Sequence, residues 1–288
     1  MDFDAFVKDI RDNSWNVFGV EVYSKGELIH SYGDTRENLH KIYSATKTVL
    51  SVAVGIASDE KRFDINRSLL SYLPQDKTEG LSMEQKDVFG RITIKRLLTM
   101  SVGDFPFRPE GDNYLDFALN TKITAPGERT FNYSNISAYL VGVALTEALG
   151  TDLGKYIEDS IFTPLGINRY EYSRSPEGYF YGASGMELTV HGLSQIGLLL
   201  YQRGVYNGQR ILSEEYVNEA TSIQQMNREG GYGYFIWKYR DGFSINGKLK
   251  QKCYVLPAQD LVITYLSHID DDSHVLVESM EKHILGIS

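Results

Sequence analysis

The chain has 288 residues, 42% of them hydrophobic and 23% charged, so it can bury a substantial core as one large domain or two interleaved ones. Its formal net charge of -9, without a basic run that carries interleaved aromatic residues, argues against a nucleic-acid partner. The single cysteine, Cys253, excludes an internal disulfide, and no Cys/His cluster has zinc-ligand spacing. The sequence therefore predicts a site without a metal or another cofactor.

The N-terminal segment lacks the basic start and apolar core of a signal peptide, and no apolar run reaches transmembrane length. These features predict a soluble, cytoplasmic protein without a membrane span.

The predicted elements begin with a short amphipathic helix over residues 2–12. Two antiparallel strands follow, Asn16–Ser24 and Glu27–Tyr32, and Lys25-Gly26 between them is a hairpin signal. From Ser44 to about Ala220 the pattern is mostly helical. The helices predicted there are 42–57, 93–100, 134–149, 153–161 and 189–203.

Strand character returns from Tyr232. The predicted strands are 234–239, 243–246, 251–256 and 261–267, and a helix over about 273–285 closes the chain. Strands at both ends with helices between them indicate one antiparallel sheet assembled from the two termini, with a helical domain inserted in the middle. We expect residues 1–43 and 221–288 to form the sheet domain and residues 44–220 the helical domain.

The helix over residues 42–57 is apolar almost all round, which is typical of a buried helix, yet it starts with Ser44 and has Lys47 three positions on. A serine in the first turn also offers its N–H at the positive end of the helix dipole. Hydroxyl, amine and N–H together are the minimum set for a serine nucleophile with a lysine base. The alternative is that Ser44 is an N-cap and Lys47 extends to solvent.

The pattern Ser-x-x-Lys alone is not specific, because Ser58/Lys61 and Ser279/Lys282 also match it. Both of those copies lie in polar or charged stretches and are interpreted as solvated. Only Ser44 starts an apolar helix, where an unpaired ammonium would be costly.

A second candidate constellation is Tyr133-Ser134-Asn135, in a loop at the entry to a predicted helix. Adjacent lysine cations would favour the phenolate of Tyr133 or let it relay a proton. Asn135 would hold a lysine amine or a substrate carbonyl. Tyr133 is, however, one of 20 tyrosines, and Tyr216/Asn218 repeats the Tyr-x-Asn spacing in what is interpreted as an ordinary surface helix.

Ser44-Ala45-Thr46-Lys47 followed by Tyr133-Ser134-Asn135 resembles the first two motifs of the serine β-lactamase and penicillin-binding-protein superfamily, on its class C and esterase side. Further similar segments follow in the family's order: 97–103, 125–133, 162–167, 182–189 and 232–237. The resemblance implies an α+β fold with a five-stranded antiparallel sheet built from both termini, flanked by helices, with an inserted all-helical domain. It places the active site in the cleft between the two domains.

The third family motif, Lys-Thr-Gly or His-x-Gly, matches Gly247-Lys248-Leu249-Lys250-Gln251 only in part. Lys248 stands for the family's Lys or His, but Lys250 falls where a glycine is expected, and the register could be off by two. In this register the N–H of Gln251 is the second oxyanion donor beside that of Ser44. The alternative is a charged edge strand that prevents aggregation.

The resemblance implies acyl transfer through a covalent intermediate, in which Lys47 and Tyr133 together take the Ser44 proton and Tyr133 later activates water. Lys248 would bind an anionic substrate group or lower the pKa of Tyr133. The expected function is a carboxylesterase or amidase-like serine hydrolase acting on a small ester, amide or β-lactam. Two alternatives remain: a true β-lactamase or D-alanyl-D-alanine carboxypeptidase, and a non-catalytic binding protein that kept the fold. No Gly-x-Ser-x-Gly elbow exists, which disfavours an α/β-hydrolase.

Overall fold

A computed structural model describes residues 1–271 and 273–287 of the chain. Its strands are β1 (Val17–Ser24), β2 (Glu27–Gly33), β3 (His40–Lys41), β4 (Tyr170–Glu171), β5 (Glu187–Leu188), β6 (Val205–Tyr206), β7 (Gln209–Arg210), β8 (Trp237–Tyr239), β9 (Gly242–Gly247), β10 (Gln251–Leu256) and β11 (Leu261–Ser267). Its α-helices are α1 (Phe3–Asp12), α2 (Thr46–Asp59), α3 (Gln75–Glu79), α4 (Met83–Gly90), α5 (Ile94–Leu98), α6 (Tyr114–Leu119), α7 (Asn135–Leu149), α8 (Leu153–Ile157), α9 (Val190–Tyr201), α10 (Glu214–Thr221) and α11 (Val275–Met280).

The main sheet is antiparallel and has the order β2-β1-β11-β10-β9-β8, so strands from both ends of the chain meet at its centre. This confirms an α+β fold with one sheet built from the two termini. The predicted number of five strands is wrong, because the sheet has six. The short strand β8 pairs with β9 through Trp237 opposite Ser244 and forms the outer edge.

Helices cover both faces of the sheet. On one face, α1 and α11 enclose an apolar cluster in which Phe6 and Met280 pack with Tyr265 of β11. On the other face, α9 comes so close that any side chain at Gly197 would collide with the sulfur of Cys253. Cys253 is fully buried, and burial raises the pKa of its thiol to about 12, so it packs as an apolar residue.

The middle of the chain contains the two most apolar helices. In α2 every residue from Thr46 to Ala57 is buried, as expected for a helix that is hydrophobic all round. Ser134 caps the start of α7, and Gly150, with a φ of 62° that glycine adopts without strain, caps its end. The middle of the chain is mostly helical, as predicted, but the expectation of an all-helical insertion is wrong. Within it β4 pairs with β5, which also pairs with β3 from before α2, and β6 pairs with β7.

In the part of the chain that the structure describes, no single helix is long and apolar enough to cross a membrane. Asn135–Leu149 and Leu153–Phe162 reach that length only as a pair bent by 85°.

Candidate active site

Ser44 lies in a 3-10 turn, Tyr43–Ala45, directly before α2. Tyr43 has a φ of 48°, a left-handed conformation that costs a non-glycine residue about 1–3 kcal/mol and persists only where the surroundings hold it. Two bonds hold it here: the Ile42 N–H donates to the Met186 carbonyl at 3.0 Å, and the Thr46 hydroxyl donates to the Tyr43 carbonyl at 2.7 Å. Ser44 is partly exposed, and its N–H meets no protein acceptor among residues 1–271 and 273–287.

Lys47 is 1% exposed, so the alternative in which it extends to solvent is wrong. Its Nζ lies 2.7 Å from Asn135 Oδ1, 2.6 Å from the Ala183 carbonyl oxygen and 3.2 Å from Ser44 Oγ. Burial lowers the pKa of Lys47 to about 7, because the charged form loses its hydration. Near neutral pH a large fraction of this amine is therefore neutral.

Tyr133 reaches the same atoms from the loop before α7. Its ring centroid is 5.0 Å from Lys47 Nζ, and the nearby Ser44 side chain partly offsets the rise in the pKa of its phenol. The expectation that lysine cations favour its phenolate is wrong. Burial, aided by the charge of Glu229, raises the pKa of Tyr133 to about 12.

The segment that carries Tyr133 is fastened to the loop after α5. Five hydrogen bonds connect them: Asn132 N to Met100 O (2.7 Å), Asn132 Nδ2 to Val102 O (3.3 Å), Asn132 Nδ2 to Phe105 O (2.9 Å), Ser134 Oγ to Pro106 O (2.6 Å) and Asn135 N to Phe107 O (2.7 Å). The Asn135 amide thus reaches Lys47 from a fixed backbone.

The third motif is a tight turn between β9 and β10, where Leu249 and Lys250 have φ of 61° and 66°. Gly247 lets this turn reach the nucleophile, since a side chain there would collide with the Ile42 carbonyl oxygen. Lys248 is exposed, and Lys250 Nζ donates to the Asp271 carbonyl at 2.6 Å.

The prediction that Gln251 offers a free oxyanion donor is wrong for this conformation. Its N–H donates to the Lys248 carbonyl within the turn. Its side chain exchanges two hydrogen bonds with the backbone of Ser267, at 2.6 and 2.9 Å. The turn is the cause, because it brings the Lys248 carbonyl to the Gln251 N–H, which an extended strand would leave free.

The other Ser-x-x-Lys copies lie elsewhere in the fold, and their hydroxyls are engaged. The interpretation of both as solvated is wrong for Ser279, which is buried. Ser58 Oγ donates to the Val54 carbonyl at 2.8 Å, and Ser279 Oγ donates to Asp9 at 2.8 Å. Within the described ranges, no group of three or more His, Cys, Asp or Glu side chains is placed to hold a metal ion.

Several groups around the nucleophile were missed by the sequence analysis as site residues. Ala183 contributes only a backbone carbonyl, for which no side chain gives a signal. The rings of Phe107, Tyr232 and Trp237 surround Tyr133, with centroids 6.4, 6.2 and 5.5 Å away. Tyr232 and Trp237 were visible only as part of a motif resemblance. Phe107 is 60% exposed, and a lone exposed aromatic carries no sequence signal.

Comparisons with known proteins identify the family and the fold. The family described as Beta-lactamase matches residues 10–280 of the chain. Among solved structures, a putative 6-aminohexanoate-dimer hydrolase from Bacillus anthracis is 20% identical, with a TM-score of 0.80 over 97% of this chain and 80% of that one. A putative beta-lactamase from Bacteroides dorei DSM 17855 is 18% identical, with a TM-score of 0.78 over 98% of both chains. A penicillin-binding protein from Bacillus halodurans is 14% identical, with a TM-score of 0.74 over 96% of this chain and 99% of that one. No curated protein matches the chain.

Proposed function

Because the chain belongs to the Beta-lactamase family, we propose that it is a serine hydrolase that cleaves a small ester or amide through an acyl-enzyme formed on Ser44. The observation that carries the proposal is the orientation of the Lys47 amine, which its hydrogen-bond partners fix. A neutral amine has two N–H bonds and one lone pair. Asn135 Oδ1 and the Ala183 carbonyl can only accept, so they take the two N–H bonds and the lone pair faces Ser44 Oγ at 3.2 Å.

In the proposed acylation, Lys47 accepts the hydroxyl proton while Ser44 Oγ forms a bond to the substrate carbonyl carbon. The free N–H of Ser44 stabilises the oxygen that becomes negative. When the tetrahedral intermediate collapses, the bond to the alcohol or amine breaks and the Lys47 ammonium returns its proton to that leaving group. Water then repeats the sequence at the acyl-enzyme, with Lys47 again as the base.

Tyr133 has a different proposed role from the one that the sequence suggested. With a pKa of about 12 its phenol stays protonated at neutral pH, so it acts as a hydrogen-bond donor at the reacting oxygen and not as a base. Asn135 orients Lys47. The exposed Lys248 lies on the turn next to the nucleophile segment and is the proposed contact for an anionic substrate group.

The test is intact-protein mass after exposure to a fluorophosphonate probe. Wild type is expected to gain one adduct, and Ser44→Ala none. Ser58→Ala is the matched control, because Ser58 has the same Ser-x-x-Lys spacing, and it is expected to label like wild type. Labelling of Ser44→Ala at the wild-type rate would remove Ser44 from the mechanism. Turnover of esters, amides and a chromogenic cephalosporin then separates hydrolase activity on esters or amides from β-lactamase activity.

One observation favours a second candidate, a binding protein without turnover. Lys250 occupies the place of a family glycine, and the Gln251 N–H is bonded inside the turn, which leaves one oxyanion donor instead of two. A wild-type protein that gains no adduct, yet binds penicillin G with the same affinity as Ser44→Ala, would support this candidate.

A further inference from the structure

Arg96 of α5 is a buried cation that the proposed mechanism does not use. It is 9% exposed, and its guanidinium donates only to backbone carbonyls, namely those of Arg91 (3.3 Å), Ser101 (3.1 Å), Pro126 and Glu128. No Asp or Glu of the described residues forms an ion pair with it. Burial and the neighbouring Arg129 lower the pKa of Arg96.

A buried arginine without a carboxylate partner is energetically unfavourable, because the ion loses its hydration and gains no opposite charge. An apolar side chain of similar length would avoid that loss. What the arginine provides in return is a planar fork that fixes several carbonyls at once in one geometry.

Three of the four carbonyls that Arg96 holds, those of Ser101, Pro126 and Glu128, belong to two segments that lead to the active site. Ser101 lies in the loop whose carbonyls at residues 100–107 hold Asn132, Ser134 and Asn135. Pro126 and Glu128 lie on the segment that runs directly into Tyr133. The guanidinium therefore connects the loop at residues 100–107 to residues 126–128, which lead into Tyr133.

The backbone of this loop also depends on Arg96. Met100, whose carbonyl accepts from the Asn132 N–H at 2.7 Å, has a φ of 52°. The next residue, Ser101, returns two bonds to the Arg96 carbonyl, from its N–H at 2.9 Å and from its hydroxyl at 3.2 Å. Arg96 thus holds Ser101 from both its side chain and its backbone.

We propose that Arg96 is a positioning residue that holds Tyr133 and Asn135 in register with Ser44 and Lys47 by tying residues 126–128 to Ser101. This inference rests on the proposed function, in which Tyr133 and Asn135 serve the nucleophile. Arg96 touches none of the reacting groups and acts through the backbone that carries them.

The experiment compares Arg96→Met, Arg96→Lys and Arg62→Met. Arg62 is the matched control, because it also donates to a backbone carbonyl, that of Leu149 at 2.9 Å, but holds none of the segments that carry the site. For each variant we would measure the melting temperature, the fluorophosphonate labelling rate of Ser44 at saturating probe, the probe concentration for half that rate, and the pH profile of labelling.

Arg96→Met is expected to lower the saturating rate about 10- to 100-fold, as displacements of about 1 Å do, with little change in the half-saturating concentration. Its pH profile is expected to move to higher pH, because a displaced Asn135 admits water to Lys47 and reduces the effect of burial. Arg96→Lys is expected to fall between Arg96→Met and wild type, since an ammonium offers only three donors to four carbonyls. Arg62→Met is expected to change the melting temperature alone.

A folded Arg96→Met with the wild-type rate and pH profile would overturn the inference and leave Arg96 a purely structural residue. If Arg96→Met does not fold, Arg96→Lys decides: wild-type rate and profile in that variant would also overturn it. Ser44→Ala separates the two proposals. If that variant still labels, the proposed function fails. If it does not label while Arg96→Met labels normally, only the positioning role fails.

Discussion

The pH dependence of Ser44 reactivity distinguishes the two candidate bases. Lys47 has a pKa of about 7 and Tyr133 a pKa of about 12. With Lys47 as the base, about 9% of the amine is neutral at pH 6 and about 91% at pH 8, so the labelling rate rises about tenfold between them and then levels off. With the Tyr133 phenolate as the base, the rate would rise tenfold per pH unit without levelling up to pH 10.

The assay is the second-order rate of fluorophosphonate labelling from pH 5.5 to 10, corrected for spontaneous hydrolysis of the probe. Tyr133→Phe is expected to lower the plateau but keep its midpoint near that of wild type. Lys47→Arg, whose side chain stays protonated, is expected to lower the rate at pH 8 by about 10²- to 10⁴-fold, the usual range for loss of a general base. A wild-type rate that does not change between pH 5.5 and 9, or one that climbs to pH 10 and stops climbing only in Tyr133→Phe, would refute Lys47 as the base.

Three further predictions concern the frame of the site. Gly247→Ala is expected to lower the labelling rate at least tenfold, because the new methyl group collides with the Ile42 carbonyl and moves the turn from Ser44, whereas Gly103→Ala, with open space around it, should label normally. Lys250→Gly is expected to keep the free energy of unfolding within about 1 kcal/mol of wild type, because relief of the strain at its φ of 66° offsets the lost hydrogen bond to Asp271. Urea unfolding measures this free energy, and a loss above about 2 kcal/mol would contradict the prediction. Burial opposes ionisation of Glu21, but His191 and Tyr23 outweigh it and lower the pKa of this carboxyl. Its contribution is therefore present above pH 4.5 and lost as pH falls through the lower folded pKa, so Glu21→Gln should cost about 1–3 kcal/mol at pH 7 and progressively less below pH 4.5. An equal deficit at pH 3 and pH 7 in urea unfolding would count against this explanation.

Elements with a long apolar pattern in the sequence were predicted more accurately than short ones. The buried helix α2, the strands β10 and β11 and the assembly of the sheet from both termini were predictable, because apolar periodicity over many residues identifies the element and its burial. Strand β8 was predicted as part of a longer strand over 234–239, of which the structure keeps only residues 237–239. The strand pairs in the helical part were not predicted, because two-residue strands depend on tertiary pairing more than on pattern.

The sequence by itself determined which chemistry is present: a serine and a lysine on one face of an apolar helix start, and an asparagine at the start of a second helix. The tertiary structure decided how these groups behave. It buried Lys47 and so lowered its pKa to about 7, whereas the sequence pointed to Tyr133 as a partner base. It also closed the third motif into a turn that engages the Gln251 N–H. Ionisation and free hydrogen-bond donors depend on what surrounds a group in space, and residues up to 136 positions apart along the chain supply those surroundings.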